Sequence, residues 1–284
     1  MLIAVANDEQ KKKYLDPYAR GEAHSAIAIS EPGAGGDPAG MTTRAVKDGG
    51  DWVINGRKIW VSRVPDADFV IVMARTGEGK RQEGVTAFVV ERGTPGFIIE
   101  REIPMLGGHR TYELVFEDCR IPAKQVLGQE GKGFAPMQLR LTVRRLQMGA
   151  WSIGMSRRAL DMMIEHTKQR VTFGQPLSQR QAIQWMLVDS FVELKAARLM
   201  VWDAACKMDK GEDARNDCYV AKMYADEMAF RVVDRCMQIH GGIALTTDLP
   251  IERMWRQQRS YRITEGATEV MKMVIARHVL KAYP

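Results

Sequence analysis

The stretch GQEGKGF, residues 128–134, separates two parts of the chain that differ in hydrophobic periodicity. On its N-terminal side, short β-branched or aromatic runs alternate with glycine, proline and aspartate, a pattern that predicts strands joined by turns. On its C-terminal side, apolar residues recur at helical spacing over long segments, which predicts amphipathic helices. The sequence therefore predicts a multi-domain α+β protein, with a β-domain followed by a helical domain.

The β-domain contains six segments that predict strands: HSAIAIS, DWVINGRKIWVS, DFVIVMAR, GVTAFVVE, GFIIERE and YELVFEDCRI. The sequences DGGDW and INGRK are hairpin signals. No helix-length segment separates the strands, so a parallel Rossmann sheet is disfavoured. An antiparallel barrel or sandwich is the predicted architecture.

The helical pattern begins with Phe134, Met137, Leu141 and Leu146. Further amphipathic runs cover 181–210, 213–240 and 267–281. Four long helices with short connections predict an antiparallel four-helix bundle. The predicted domains are a helical remnant at 1–22, a β-domain at 23–130 and a bundle at 131–284.

The composition excludes several classes of protein. The chain has 284 residues, 45% of them hydrophobic and 27% charged, as expected of a soluble globular protein. No window reaches the roughly 18 apolar residues of a membrane span, and the N-terminus does not resemble a signal peptide. The four cysteines form no C-x-x-C pair, so we expect no metal site, reduced thiols and a cytoplasmic location. The net charge of +6 is dispersed and no nucleic-acid motif accompanies it, so no nucleic-acid partner is predicted.

Two glycine-rich loops could bind phosphate. In SEPGAGGDPAG, residues 30–40, Pro38 occupies the third glycine position of a dinucleotide fingerprint and no helix follows, so a simple turn is the alternative. In QIHGGIA, residues 238–244, the glycines follow a long helix and form either its C-cap or a backbone nest for an anion. Spacing alone leaves both alternatives open.

Glu265 lies just ahead of the last helical run, in RITEGATEVMKMVIARHVL, residues 262–280. An acidic residue at this position could interact favourably with the helix dipole. It could also be a catalytic base. The residues around it do not decide between the two hypotheses.

Four arginines recur at every third position before this segment: Arg253, Arg256, Arg259 and Arg262. If the segment is helical, they lie along one ridge. That ridge is either a solvated basic face or a contact for CoA phosphates or an acidic partner.

Five segments, in order, resemble the acyl-CoA dehydrogenase family. AISEPGAGGDPAGMTTRA resembles its flavin loop, VINGRKIWVS its flavin-contacting strand, and RVTFGQPLSQRQAIQ the segment that meets the adenine and phosphates. QIHGGIA resembles its pyrophosphate clamp and ITEGATEVMKMVIAR its catalytic segment. The resemblance implies a three-part fold, in which this chain includes little of the N-terminal helical domain.

The resemblance also implies an activity, the oxidation of an acyl-CoA to its trans-2-enoyl-CoA in fatty-acid β-oxidation. FAD N5 would accept the hydride, and the electrons would pass to an electron-transfer flavoprotein. Glu265 would be the base. Its backbone N–H and a flavin hydroxyl would both donate hydrogen bonds to the thioester carbonyl oxygen. Gly266 would leave room for the thioester.

The FAD-binding residues that the resemblance implies are Ile29, Ser30, Trp60, Ser62, Arg170, Thr172, Phe173, Gln181, Gln238, Gly241, Gly242, Ala267 and Glu269. In the family, the groups that match Arg170, Phe173 and Gln238 come from a neighbouring subunit. The resemblance therefore implies a homodimer or homotetramer.

The substrate-binding residues that it implies are Gly36, Thr142, Arg145 and Gly266. Gly36 stands where the family often has serine, and Thr142 where an acidic residue often contacts the CoA arm. Ala267 replaces the usual threonine after the base. Arg145 matches an arginine near the base and CoA, although a solvated helix residue is the alternative.

Other functions stay open at this point. The main alternative is a shortened, non-catalytic relative that acts as an assembly subunit, or a fragment. Nitroalkane oxidation on the same fold is disfavoured, because that branch uses aspartate as the base. The sequence does not distinguish a dehydrogenase from an oxidase.

Overall fold

The computed structural model describes residues 1–78 and 81–282, and the chain divides into two compact units, Met1–Arg140 and Leu141–Pro284. The first unit begins with three short helices, α1 (Leu2–Val5), α2 (Asp8–Gln10) and α3 (Asp16–Ala19), with a π-helical turn at Lys11–Leu15. The Gln10 side chain donates hydrogen bonds to the carbonyls of Lys124 and Val126, at 2.9 and 2.8 Å. These bonds hold the helical segment against the rest of the unit.

The first unit is built on one eight-stranded sheet. Its strands are β1 (Ser25–Ala28), β2 (Arg44–Asp48), β3 (Asp51–Ser62), β4 (Phe69–Arg75), β5 (Val85–Glu91), β6 (Phe97–Pro104), β7 (Arg110–Pro122) and β8 (Val126–Leu127). The order is β6-β7-β3-β2-β4-β5-β8, with β1 paired to β4. Most pairs are antiparallel, but β4 is parallel to β1 and, at the single pair Arg44–Arg75, to β2. The β2–β3 hairpin forms the crossover between β1 and β4. The six predicted strands and the largely antiparallel sheet are confirmed.

The predicted hairpin at INGRK is wrong, because β3 continues through it. The register against β7 shifts at Asn55, because two residues of β7, Glu117 and Asp118, lie opposite this one residue of β3 and form a β-bulge. The Asn55 side chain bonds the side chain and backbone N–H of Asp118, at 3.1 and 2.8 Å. A Cβ on Gly56 would lie 2.6 Å from Thr43 Oγ1, so only glycine fits at this close approach. The DGGDW signal is confirmed as the β2–β3 turn.

The second unit is a helical bundle. Its helices are α4 (Phe134–Gln169, which begins in the first unit), α5 (Gln181–Asp209), α6 (Arg215–His240), α7 (Ile251–Tyr261) and α8 (Thr268–Ala282), and a small hairpin joins β9 (Val171–Thr172) to β10 (Gln175–Pro176). The predicted helices are confirmed, and α7 is an additional one. The predicted domain limits stay a prediction, because the two compact units divide inside α4.

Each unit has its own apolar core. The sheet packs residues such as Ile54, Phe88 and Phe116, all at most 1% exposed. The bundle packs small and sulfur-containing residues of α4 and α6, which allows the helices to approach closely. Cys119, Cys218 and Cys236 are buried as predicted, whereas Cys206 is exposed and does not fill a core.

Within the described residues, no helix is long and apolar enough to cross a membrane, and no group of three histidine, cysteine or acidic side chains could hold a metal ion. The arginine ridge is helical up to Tyr261, with Arg262 directly after it. It is not simply a solvated face. Arg256 forms an ion pair with Glu252, and Arg262 Nε donates to Glu227 at 2.8 Å.

Candidate active site

Glu265 lies in the loop between α7 and α8, not in the helix itself. Its φ is +55°, and that of Gly266 is +110°, so the loop turns sharply at the two residues. A left-handed conformation at a non-glycine residue is uncommon and is often maintained for function. The first-turn acid of α8 is Glu269, so the helix-dipole hypothesis applies to that residue.

Two basic side chains anchor the backbone of this loop. Arg145 Nε donates to the Glu265 carbonyl at 2.9 Å, and its guanidinium lies 4.4 Å over the ring of Tyr219. Lys222 Nζ donates to the carbonyls of Tyr261 and Gly266, at 2.7 and 2.9 Å. The loop is therefore fixed on both sides of the Glu265 carboxylate.

Lys222 is buried with a carboxylate partner. Its ammonium lies 3.0 Å from Asp226, which also accepts a hydrogen bond from Ser152 at 2.6 Å. Burial lowers the pKa of Lys222 and raises the pKa of Asp226, although each partner opposes the other's shift. The ammonium therefore donates to two carbonyls and forms an ion pair with one carboxylate.

A second arginine contacts the Glu265 side chain itself. Arg144 Nε lies 3.4 Å from Glu265 Oε1, and the guanidinium lies 4.2 Å over the ring of Trp151. Arg145, by contrast, is only 6% exposed, so the alternative of a solvated helix residue is wrong for it. The two arginines thus differ in role, with one on the backbone and one on the carboxylate.

In the sheet unit, Trp60 and Ser62 lie at the end of β3. Trp60 has a φ of +62° at a register shift and is 50% exposed, which is unusual for an aromatic residue in a strand. The Ser62 hydroxyl lies 3.0 Å from His109 Nε2. The end of β3 therefore presents an aromatic face next to a polar group.

A buried ion pair supports the loop that contains Ile29 and Ser30. Lys58 Nζ lies 2.8 Å from Glu31 and 3.1 Å from the Ile29 carbonyl, and Ser30 accepts a hydrogen bond from the Ile59 N–H. Burial alone would raise the pKa of Glu31, but Lys58 and further hydrogen bonds lower it to about 2. Burial lowers the pKa of Lys58 to about 8, because Glu31 offsets only part of the effect.

The remaining predicted FAD residues of the bundle are mostly on its surface. Phe173 is 98% exposed at the tip of the β9–β10 turn, where it and Gly174 both have positive φ. Arg180 donates to the Thr172 carbonyl and lies 5.4 Å from the Phe173 ring. Other exposed members of this set are Arg170, Gln181, Gln238, Gly241, Gly242 and Glu269.

The comparisons with known proteins identify the family of the chain. Residues 26–119 match the family described as "Acyl-CoA dehydrogenase, middle domain", and residues 131–280 match "Acyl-CoA dehydrogenase, C-terminal domain". The chain belongs to the acyl-CoA dehydrogenase family. Members of this family are FAD-dependent oxidoreductases.

Three similar proteins illustrate the relationship. (R)-Benzylsuccinyl-CoA dehydrogenase of Thauera aromatica is 39% identical over 95% of this chain and 68% of its own length. The butyryl-CoA dehydrogenase structure from Megasphaera elsdenii has a TM-score of 0.94 and 37% identity, over 98% of this chain and 74% of that one. An FAD complex of PigA has a TM-score of 0.93 and 32% identity, over 97% of this chain and 72% of the PigA chain.

The residues of this acyl-CoA dehydrogenase fit FAD. Gly241 has a φ of +68° and a ψ of −143°, and nothing lies within 4 Å of a Cβ built there or on Gly242, so a dinucleotide can approach the backbone. Exposed aromatic faces at Trp60 and Phe173 suit flat rings, and the Arg170 guanidinium suits a phosphate. Each of these groups, taken by itself, therefore suits one part of a flavin dinucleotide.

The substrate positions differ in accessibility. Gly36 is exposed, and Thr142 is 7% exposed. A Cβ on Gly266 would lie 3.1 Å from Met271 Cε and 3.5 Å from Arg145 Nη2. Ala267 directly precedes α8 and is half-buried.

Sequence reasoning missed Arg144, His109 and the lysines of the two buried ion pairs. Lys222 and Asp226 are one helical turn apart within an apolar run, which is a signal that could have identified them. Nothing in the local sequence connects Arg144 with Glu265 or His109 with Ser62.

Proposed function

We propose that this chain oxidises a saturated acyl-CoA to the trans-2-enoyl-CoA, with Glu265 as the general base. The observation that carries the proposal is the anchored loop, in which Arg145 and Lys222 fix the carbonyls of Glu265 and Gly266. The Glu265 side chain is 20% exposed, so its carboxylate remains accessible while its backbone is held. A base must be held in place in this way, because small misplacements cost large factors in rate.

The proton transfer follows from this arrangement. The α-hydrogen of a thioester is a weak acid until the carbonyl oxygen is stabilised as charge develops on it. The backbone N–H of Glu265 donates a hydrogen bond to that oxygen, and the Glu265 carboxylate accepts the proton. Gly266 has no side chain, so the thioester can lie close to the loop.

When bound, FAD supplies the acceptor for the β-hydride at its N5 position. Trp60 would pack on the isoalloxazine, and Ser62 would bond near N5, with Ile29 and Ser30 at the pyrimidine edge. Phe173 would stack on the adenine. The phosphates and the rest of the cofactor would contact Arg170, Thr172, Gln181, Gln238, Gly241, Gly242, Ala267 and Glu269.

We propose that the protein forms a homodimer or homotetramer that shares these sites. Phe173 is 98% exposed and therefore available to a neighbouring subunit. α5 also exposes a row of large apolar side chains, at least 57% exposed each: Trp185, Val188, Phe191, Val192, Leu199 and Trp202. A patch of this kind favours burial against a second copy.

Two further predictions concern the environment of the enzyme. We propose an electron-transfer flavoprotein as the electron acceptor, on the basis of the family. All four cysteines are free thiols, which supports a reducing compartment and hence a cytoplasmic location.

The proposed function is tested by anaerobic titration of the FAD-loaded protein with a panel of acyl-CoAs. Flavin absorbance should bleach with a suitable substrate. Glu265→Gln should still bind FAD but bleach at least ~10²-fold more slowly, the smaller effect expected of a positioned base. Glu165→Gln, an exposed carboxylate of α4, is the matched control and should bleach at the parent rate. A protein that takes up no FAD would favour the non-catalytic assembly subunit instead.

A further inference from the structure

Two histidines stack on each other where α4 and α6 end. His166 lies in the last turn of α4 and His240 is the last residue of α6, and both are half-buried. Their ring centroids are 4.2 Å apart, with an interplanar angle of 24°. Such a stack can hold one proton, because the charged ring then lies against the π face of a neutral ring. A second proton would place two like charges at the same short distance.

The hydrogen bond of His240 determines which of its nitrogens titrates. Nδ1 lies 2.8 Å from the Cys236 carbonyl oxygen, which can only accept, so Nδ1 carries a hydrogen. Burial raises the pKa of the neighbouring Cys236 thiol to about 12, so the thiol is uncharged at neutral pH. Nε2 is therefore the nitrogen that gains or loses a proton, and the bond to α6 is kept in both states.

The surroundings favour the uncharged pair while no ligand is bound. Burial, His240 and Arg170, in that order, lower the pKa of His166. Arg170 follows one helical turn later, and its backbone N–H donates to the His166 carbonyl at 2.8 Å. Within the described residues, neither imidazole forms an ion pair with a carboxylate. The acidic side chains next to the pair in the sequence or on the helices packed against it have other partners: Glu165 contacts Gln169, Glu193 contacts Arg231 and Arg235, and Asp234 contacts Trp255.

The pair also adjoins two segments that suit phosphate. His240 directly precedes Gly241, where φ is +68° and nothing lies within 4 Å of a Cβ built on this glycine or on Gly242. Arg170, one turn after His166, is exposed. A diphosphate carries a negative charge on each phosphate, and a nearby anion raises the pKa of an imidazole. A diphosphate bound to these segments would therefore supply the negative charge that the pair lacks.

Resting on the FAD site proposed above, we propose that the His166–His240 pair takes up one proton from solvent when the FAD diphosphate binds at Gly241, Gly242 and Arg170. The proton adds to a ring nitrogen, and the charged pair complements the diphosphate together with the guanidinium. From about pH 6.5 to 8.5, the phosphates and rings of FAD keep their charge, whereas histidine titrates. The affinity for FAD therefore depends on pH through the protein, and it falls as the pH rises.

Calorimetry measures this proton uptake directly. The FAD-free protein is titrated with FAD in phosphate and in Tris, whose ionisation enthalpies differ, so the difference in heat gives the number of protons bound. At about pH 7.5, the parent protein should take up about 0.5 to 1 proton for each FAD. The dissociation constant should be on the order of tenfold larger at about pH 8.5 than at about pH 6.5. A single proton limits the change to about tenfold per pH unit.

Variants assign the uptake to the pair. His166→Phe combined with His240→Phe keeps two flat rings but no titratable nitrogen, so proton uptake should disappear and the pH dependence should flatten. His278→Gln, at an exposed histidine of α8, is the matched control and should keep both. No uptake in the parent protein, or full uptake in the double variant, would overturn the proposal.

Nuclear magnetic resonance of the parent protein with labelled histidines gives a second readout, which decides the question if the double variant binds no FAD. The single variants His166→Phe and His240→Phe assign the signals. The midpoint of the titration of the pair should move to higher pH when FAD binds, and an unchanged midpoint would overturn the proposal. A parent protein that binds no FAD at any pH would overturn the FAD site itself, whereas FAD binding without proton uptake would overturn only the role of the pair.

Discussion

Replacing Lys222 by methionine tests how the Glu265 loop is held. The side chain is fully buried. Its ammonium donates to the carbonyls of Tyr261 and Gly266, at 2.7 and 2.9 Å, and forms an ion pair with Asp226 at 3.0 Å. Methionine has a similar volume but no donor, so the variant leaves a buried carboxylate and two carbonyls without that partner. Breaking a buried ion pair in this way costs about 3–5 kcal/mol.

The free energy of unfolding, measured by urea denaturation, should therefore fall by that amount in Lys222→Met. Lys195→Met is the matched control, because Lys195 is exposed on α5 and should change stability by less than about 0.5 kcal/mol. Adding Asp226→Leu removes the unpaired carboxylate, so the double variant should recover part of the loss. Bleaching should also slow, by as much as about 10²-fold if Glu265 moves by 1 Å.

Two results would refute this reasoning. A loss below about 1 kcal/mol in Lys222→Met would mean that the buried bonds contribute little. A double variant that is less stable than Lys222→Met would mean that Asp226 does not depend on the ammonium for compensation.

Three further perturbations have definite expected outcomes. The pKa of Glu31 is lowered from 4.5 to about 2 in the folded protein, so the ionised carboxylate contributes fully to the free energy of unfolding above pH 4.5. As the pH falls from 4.5 to 2, the free energy of unfolding should decrease by about 3 kcal/mol in the parent protein, but not in Glu31→Gln. Gly96→Ala would place a Cβ 2.1 Å from the Glu117 carbonyl oxygen, whereas Gly93, at a similar positive φ, has open space around its Cβ position. Urea denaturation should therefore show that Gly96→Ala lowers the free energy of unfolding by at least about 2 kcal/mol more than Gly93→Ala does. Because Phe173 is exposed, Phe173→Ala should change the free energy of unfolding by less than about 0.5 kcal/mol. Its affinity for FAD, measured by equilibrium dialysis, should fall about tenfold or more. An unchanged affinity would exclude stacking of Phe173 on the adenine.

The sequence by itself determined the secondary structure and its division at 128–134. Strand and helix periodicity depend on which face of each element is apolar, and this information is local. The limits of β3 match the predicted strand, and three predicted helices agree within two residues at each end. The order of the motifs along the chain was likewise enough to identify the family.

Only the tertiary structure decided which charged residues lie inside. Lys58 is buried because the carboxylate of Glu31 meets it, and the 27 positions between the two residues mean that no local pattern specifies this pair. The same is true of Arg144, which contacts Glu265 although 121 positions separate them in the chain. A hydrophobic pattern predicts which residues are buried, whereas the formation of an ion pair depends on the path of the backbone between its two partners. The bulge of β7 opposite Asn55 has the same origin, since it depends on the register between β3 and β7.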